Sequence, residues 1–175
     1  MILSGQHIRR SVKAGEIHIS EYNDTFVNPN SYDIRLGNQL LVYKNDVLDT
    51  RQNNEFEIIT IPDDGMVLKR REFYLGHSME SVGSDHFVPV LHCKSGIARL
   101  GLFIHVTADL IDIGSKGNIT FQLHPTVDIK IYPGMRIAQM SFWCVQGDIN
   151  KYKGKYQNSI GPVGSLSYMD VEVRP

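Results

Sequence analysis

Ile119, Phe121 and Leu123 alternate with Thr120 and Gln122, and an apolar period of two describes a strand with one buried face. The same signature recurs along the chain as short apolar runs, LLVY at 40–43 and FVPVL at 87–91. Turn signals separate them: PDDG at 62–65, GSKGN at 114–118 and YPG at 132–134, spaced as in a β-sandwich, jelly roll or barrel. The pattern predicts a mostly β chain. Two exceptions stand out. Ser4 is placed to cap a short N-terminal helix through Ile8 and Val12 that exits at Gly15, because serine accepts an orphan N–H and glycine tolerates the left-handed exit. In the segment from Ser95 to Phe103, Ile97, Leu100 and Gly101 fit one face of a second short helix.

The 175 residues, 42% of them apolar, suffice for one domain with its own core. Residues 147–175 are polar and glycine-rich and predict either a disordered end or a flap closing over a ligand or a neighbouring subunit. With 18 Lys and Arg against 19 Asp and Glu, no field of one sign exists to draw the chain to nucleic acid or an anionic membrane. An anionic ligand must be held by a local constellation. No apolar run reaches the roughly 18 residues that span a bilayer, and MILSGQHIRR lacks the apolar stretch of a signal peptide, so a soluble, cytoplasmic protein is expected. Cys93 and Cys144 read as reduced, buried structural thiols. The seven histidines show no metal-ligand spacing, so no protein-bound metal is expected; His105, between Ile104 and Val106, reads as a satisfied core residue.

Lys94, Ser95 and Arg99 place cations and a hydroxyl around Gly96, where backbone can approach an anion. A solvated turn carrying a snorkelling arginine has the same composition. Asp112, in the apolar string LIDIGSKG, either caps a turn or faces a site, because a carboxylate between isoleucines is costly to bury unpaired. Thr120 and Gln122 share the strand face opposite Ile119, Phe121 and Leu123, pointing to a cleft or to solvent.

Taken in order, these pieces resemble the dCTP deaminase family and, more distantly, the trimeric dUTPases. SYDIRLGN at 31–38, CKSGIARLGL at 93–102, HVTADLIDIGSKGNITFQL at 105–123, YPGMRIAQMSFW at 132–143 and KYQNSIGP at 155–162 are similar to that family's first strand, phosphate loop, base-and-sugar hairpin, penultimate strand and closing flap. The resemblance implies a distorted β-barrel or jelly roll, a homotrimer with sites at subunit interfaces, and a pyrimidine deoxynucleoside triphosphate (dCTP, dUTP or dTTP) carrying Mg2+ as ligand. It assigns Lys94, Ser95, Gly96 and Arg99 to the triphosphate, with Arg99 also supporting the catalytic centre. The backbone at Thr107 and Ala108 positions water and pyrimidine, and Asp112 meets the deoxyribose 3′-hydroxyl or orients a water attacking phosphorus. Thr120, Phe121 and Gln122 lie along the base, while Tyr152 and Lys155 close over the phosphates.

The chain departs from the family at three positions. Gln122 stands where the deaminases carry the glutamate that acts as general acid and base, Ser159 where a flap glutamine contacts the base, and Ser115 where an aromatic residue follows the aspartate. An amide does not titrate, so deamination is expected to be impaired. A deaminase stripped of its base by a substitution made to trap substrate, a dUTP or dCTP diphosphatase using Asp112, and a silent nucleotide-binding regulator are all compatible with this; the serines favour natural drift over a single introduced change.

Overall fold

The computed structural model describes residues 1–170. Helix α1 spans Gly5–Lys13, its Ser4 Oγ accepting the His7 N–H at 3.4 Å, and the chain leaves it through Gly15 at φ +76°. The strands are β1 (Ile17–Ile19), β2 (Tyr32–Tyr43), β3 (Phe56–Thr60), β4 (Met66–Leu68), β5 (Tyr74–Ser84) and β6 (Phe87–Cys93). Helix α2 (Ser95–Ala98) then precedes β7 (Leu102–Phe103), β8 (Lys116–Pro125), β9 (Ile129–Ile131) and β10 (Arg136–Cys144). The mostly β expectation holds. Helix α2 is a single turn, so Leu100 is left 59% exposed and does not join Ile97 against the core.

The main sheet runs β6-β10-β2-β5-β8-β7, with β1 on β5 and β3 on β2, while β4 and β9 form a separate pair. Its two ends come together through residues 104–111. Leu102 and Phe103 pair with β8, the Gln122 N–H donates to Ile104 O, and further on the Leu91 N–H donates to Asp109 O and the Ile111 N–H to Pro89 O on β6. The sheet thereby curls into a nearly closed barrel whose seam is this segment. Inside lie Tyr32, Ile34 and Leu36 of β2, Phe121 and Leu123 of β8, and Ile137, Met140 and Phe142 of β10. Each buried side chain of this size contributes about 1.5–3 kcal/mol.

Two buried carboxylates interrupt that core. Glu80 is fully buried and accepts from Arg35 Nε at 2.6 Å and from the Arg35 N–H at 3.0 Å. Asp33, 1% exposed, takes Lys94 Nζ at 2.6 and 2.7 Å, Asn28 Nδ2 at 2.7 Å and Arg136 at 3.2 Å. The Arg35 and Arg136 guanidinium groups both sit over the Phe26 ring. Both cysteines are free. Cys93 is half-buried, its thiol facing Lys94 O, and burial raises its pKa; Cys144 is exposed, contrary to the buried reading, because it lies where β10 leaves the barrel. His105 is likewise less settled than expected, its Nδ1 being buried without a hydrogen-bond partner among the described residues.

Among the described residues no helix is long and apolar enough to cross a membrane. From residue 151 the tail is laid against the barrel, beginning with Lys151 on Asp85 and the Tyr152 N–H on Ile113 O, while 171–175 of the expected flap fall outside the described residues.

Candidate functional site

Strand β8 shows why one face of the alternation is polar. Phe121 and Leu123 fill the barrel, whereas Thr120 and Gln122 look outward into a cavity of about 460 Å3 roofed by the C-terminal stretch. That volume is typical of a small-molecule site. Its wall includes Ala108, Asp112, Thr120, Gln122, Tyr152 and Ser159. The seam segment thus supplies one side, β8 the floor and the tail the roof.

The tail is seated by backbone contacts at the turn entering β8. The Tyr152 N–H donates to Ile113 O and the Asn158 N–H to Lys116 O, while Ser159 O accepts the Asn118 N–H. Gln157 spans the turn, its Oε1 accepting the Lys116 N–H and its Nε2 donating to Gly114 O, both at 2.8 Å. Close approach requires glycine here. A Cβ on Gly114, already at φ +85°, would meet Lys151 Cβ at 2.6 Å, and one on Gly117 would meet Ser159 N at 2.6 Å.

The three uncharged polar side chains that β8 sets in the cavity already have protein partners. Thr120 Oγ1 accepts the Val163 N–H at 3.2 Å and Asn118 Oδ1 the Gly161 N–H at 3.1 Å. Gln122 Oε1 accepts the Val106 N–H at 3.2 Å. Where the backbone ladder of the seam stops at Ile104, this side chain supplies the next bond. The Asp112 carboxylate is exposed and has no hydrogen-bond partner among the described residues.

The other residues named from the sequence lie elsewhere. Ser95, Gly96 and Arg99 are exposed on α2 and the turn after it, following β6 at the opposite end of the sheet order from β8. Lys94 is committed to Asp33. Thr107 is exposed next to the cavity wall without lining it, Phe121 faces the core, and Lys155 pairs with Asp170. Among the described residues no cluster of three or more His, Cys, Asp or Glu side chains is placed to hold a metal ion.

A family model described as dCTP deaminase-like matches residues 2–145. The chain belongs to that family. Among its dCTP deaminase relatives, a Hathewaya histolytica protein is 42% identical over 173 residues, covering 98% of this chain and 100% of its own length. One from Clostridium acetobutylicum is 44% identical over 171 residues, covering 97% and 98%. Both are named "dCTP deaminase, dUMP-forming". In fold, the chain is similar to the 2′-deoxycytidine 5′-triphosphate deaminase of Agrobacterium tumefaciens, with a TM-score of 0.65 at 22% identity. That match covers 81% of this chain and 47% of the Agrobacterium chain, so this chain spans about half its length.

In this dCTP deaminase-family barrel, sequence reasoning missed much of the cavity's apolar wall. Tyr43 from β2, Phe73 and Leu75 from the start of β5, and Val163 from the tail all line it. Phe73 and Leu75 stand two apart before and within a strand, a period-two signal that could have flagged them. Nothing local marks Tyr43, whose hydroxyl accepts the Ser165 N–H across a separation of 122 residues.

Proposed function

We propose that this cavity holds the base and sugar of a pyrimidine deoxynucleoside triphosphate, bound with its Mg2+, in a homotrimer, and that ring deamination is impaired by glutamine at position 122. The observation that carries the reading is that Gln122 and Asp112 line one and the same cavity. Relatives named for making dUMP from dCTP perform a ring step and a phosphate step. Deamination of cytosine without a metal needs a group that takes a proton from water and passes it toward the ring and the leaving ammonia. The Gln122 amide has no such proton chemistry. Asp112 retains its carboxylate, exposed and without a hydrogen-bond partner among the described residues, and this favours a second reading in which phosphate-side hydrolysis survives, releasing pyrophosphate from dUTP or dCTP.

The position of the phosphate loop supports the proposed trimer. Ser95, Gly96 and Arg99 are exposed yet do not line their own chain's cavity, as expected of groups that serve a neighbour's. Arg99→Ala is expected to weaken triphosphate binding by about 1.5–3 kcal/mol, the range for hydrogen bonds to charged groups, read by calorimetry. Unchanged affinity removes the loop from the site, and a stable monomer in light scattering removes the shared site.

Incubation with dCTP and with dUTP, each with magnesium, followed by chromatography, tests the reaction. Little or no dUTP from dCTP is the expected result; monophosphate means that the phosphate step persists, and tight binding without product means a nucleotide-binding regulator. Rapid dUTP formation by the unmodified chain overturns the assignment of impaired deamination.

A further inference from the structure

We infer that Gln122 selects the ring as well as failing to deaminate it: the cavity prefers a 4-oxopyrimidine, uracil or thymine, over cytosine. This rests on the proposed placement of the base at Gln122. One end of the amide is already committed. A backbone N–H can donate only to the oxygen of a carboxamide, so the Val106 N–H fixes Oε1 toward the seam at 3.2 Å. Turning the amide over would set the Val106 N–H against an NH2 group and leave donor facing donor.

The Nε2 group, which has no hydrogen-bond partner among the described residues, is therefore what Gln122 offers to a ligand in the cavity. Thr120 points the same way. Its oxygen already accepts the Val163 N–H, so its O–H is left to donate. Asn118 is tied down at both ends, its oxygen accepting the Gly161 N–H and its Nδ2 donating to Ser78 O at 2.9 Å.

The outward polar face of β8 thus offers the cavity two donors, Gln122 Nε2 and the Thr120 O–H. A residue at the family's acid–base position stands within hydrogen-bond reach of the substituent on ring carbon 4, because proton transfer there demands it. Uracil and thymine carry an acceptor oxygen at that carbon and pair with Nε2. Cytosine carries an amino group, and two sets of N–H would face each other in a site roofed by the tail. A glutamate in the same place would accept the Val106 N–H with one oxygen and offer the other to the cytosine amino group. The change from carboxylate to amide therefore moves the preferred ligand from the substrate of deamination to its product.

The test is calorimetric binding of the α,β-imido analogues of dUTP, dTTP and dCTP, with magnesium, to the unmodified chain and to Gln122→Ala. The unmodified chain is expected to bind the uracil analogue at least roughly tenfold more tightly than the cytosine one, the effect of one unpaired donor. Gln122→Ala is expected to collapse that ratio to within about threefold. Equal or tighter binding of the cytosine analogue overturns the inference and leaves the nucleotide reading standing. A uracil preference that survives Gln122→Ala also overturns it, since the discrimination then lies elsewhere. No binding of any analogue overturns the nucleotide reading itself and the inference with it.

Discussion

Replacing Gln122 by glutamate is expected to raise dUTP formation from dCTP by about 10²–10⁴-fold, the usual contribution of a positioned general acid–base group. Glutamate is nearly isosteric with glutamine, and one of its oxygens can accept the Val106 N–H as Oε1 does now at 3.2 Å. The backbone around the site is therefore preserved, and the second oxygen enters the cavity within reach of water and ring. Arg99 lies outside this chain's cavity, so it would balance the new carboxylate only from a neighbouring copy in the proposed trimer. Chromatography of dCTP reactions, run beside a check of folding and assembly, reads the outcome. If the variant folds, assembles and binds dCTP yet forms no dUTP, the loss extends beyond position 122. Ser115 and Ser159, which also line the cavity, are then the positions to restore.

A comparable effect on stability is expected from Arg35→Met. Glu80 has no exposed surface and receives both the Arg35 guanidinium and the Arg35 N–H. Removing the guanidinium leaves a buried carboxylate with only the backbone donor and also strips one of the cations lying over Phe26. Loss of one partner of a buried ion pair costs about 3–5 kcal/mol, a large share of the roughly 5–15 kcal/mol that holds an ordinary domain together. Urea unfolding should show the midpoint falling accordingly. The double variant Arg35→Met with Glu80→Gln should recover much of the loss, because no charge is then stranded. A midpoint that barely moves in the single variant would mean that water reaches Glu80.

The sequence displayed the barrel's strands because burial on one face writes a period of two into them, as in Ile119 to Leu123, and it displayed α1 because the Ser4 cap and the Gly15 exit are local chemistry. It also carried the family likeness, and with it Ala108, Asp112, Thr120 and Gln122, which the fold brings to one cavity. What it did not display depends on pairings distant along the chain. Lys94 looked like a free cation next to a glycine, but Asp33, 61 residues away, claims it. No local pattern could show that commitment, although the aspartate inside the apolar SYDIRLGN run was a sign of a buried charge needing a partner. The apolar wall from Tyr43 and Phe73 escaped notice for the same reason: it exists only once the tail is laid across β2 and β8. Leu100 and Cys144 were misplaced because α2 is only one turn long and β10 runs out of the barrel at its end.

The bond from Val106 to the side chain at 122 completes the barrel's seam where its backbone ladder stops, and it asks only for a side-chain oxygen at the right distance. Glutamine and glutamate both provide one. Selection for a stable barrel is therefore indifferent between them, although one titrates and the other does not. Their codons differ by a single base, so the proposed exchange between catalyst and nucleotide reader would need only one step, in either direction, with the seam bond kept throughout. The oxygen that closes the seam is common to both residues, while the proposed chemistry turns on the atom beside it.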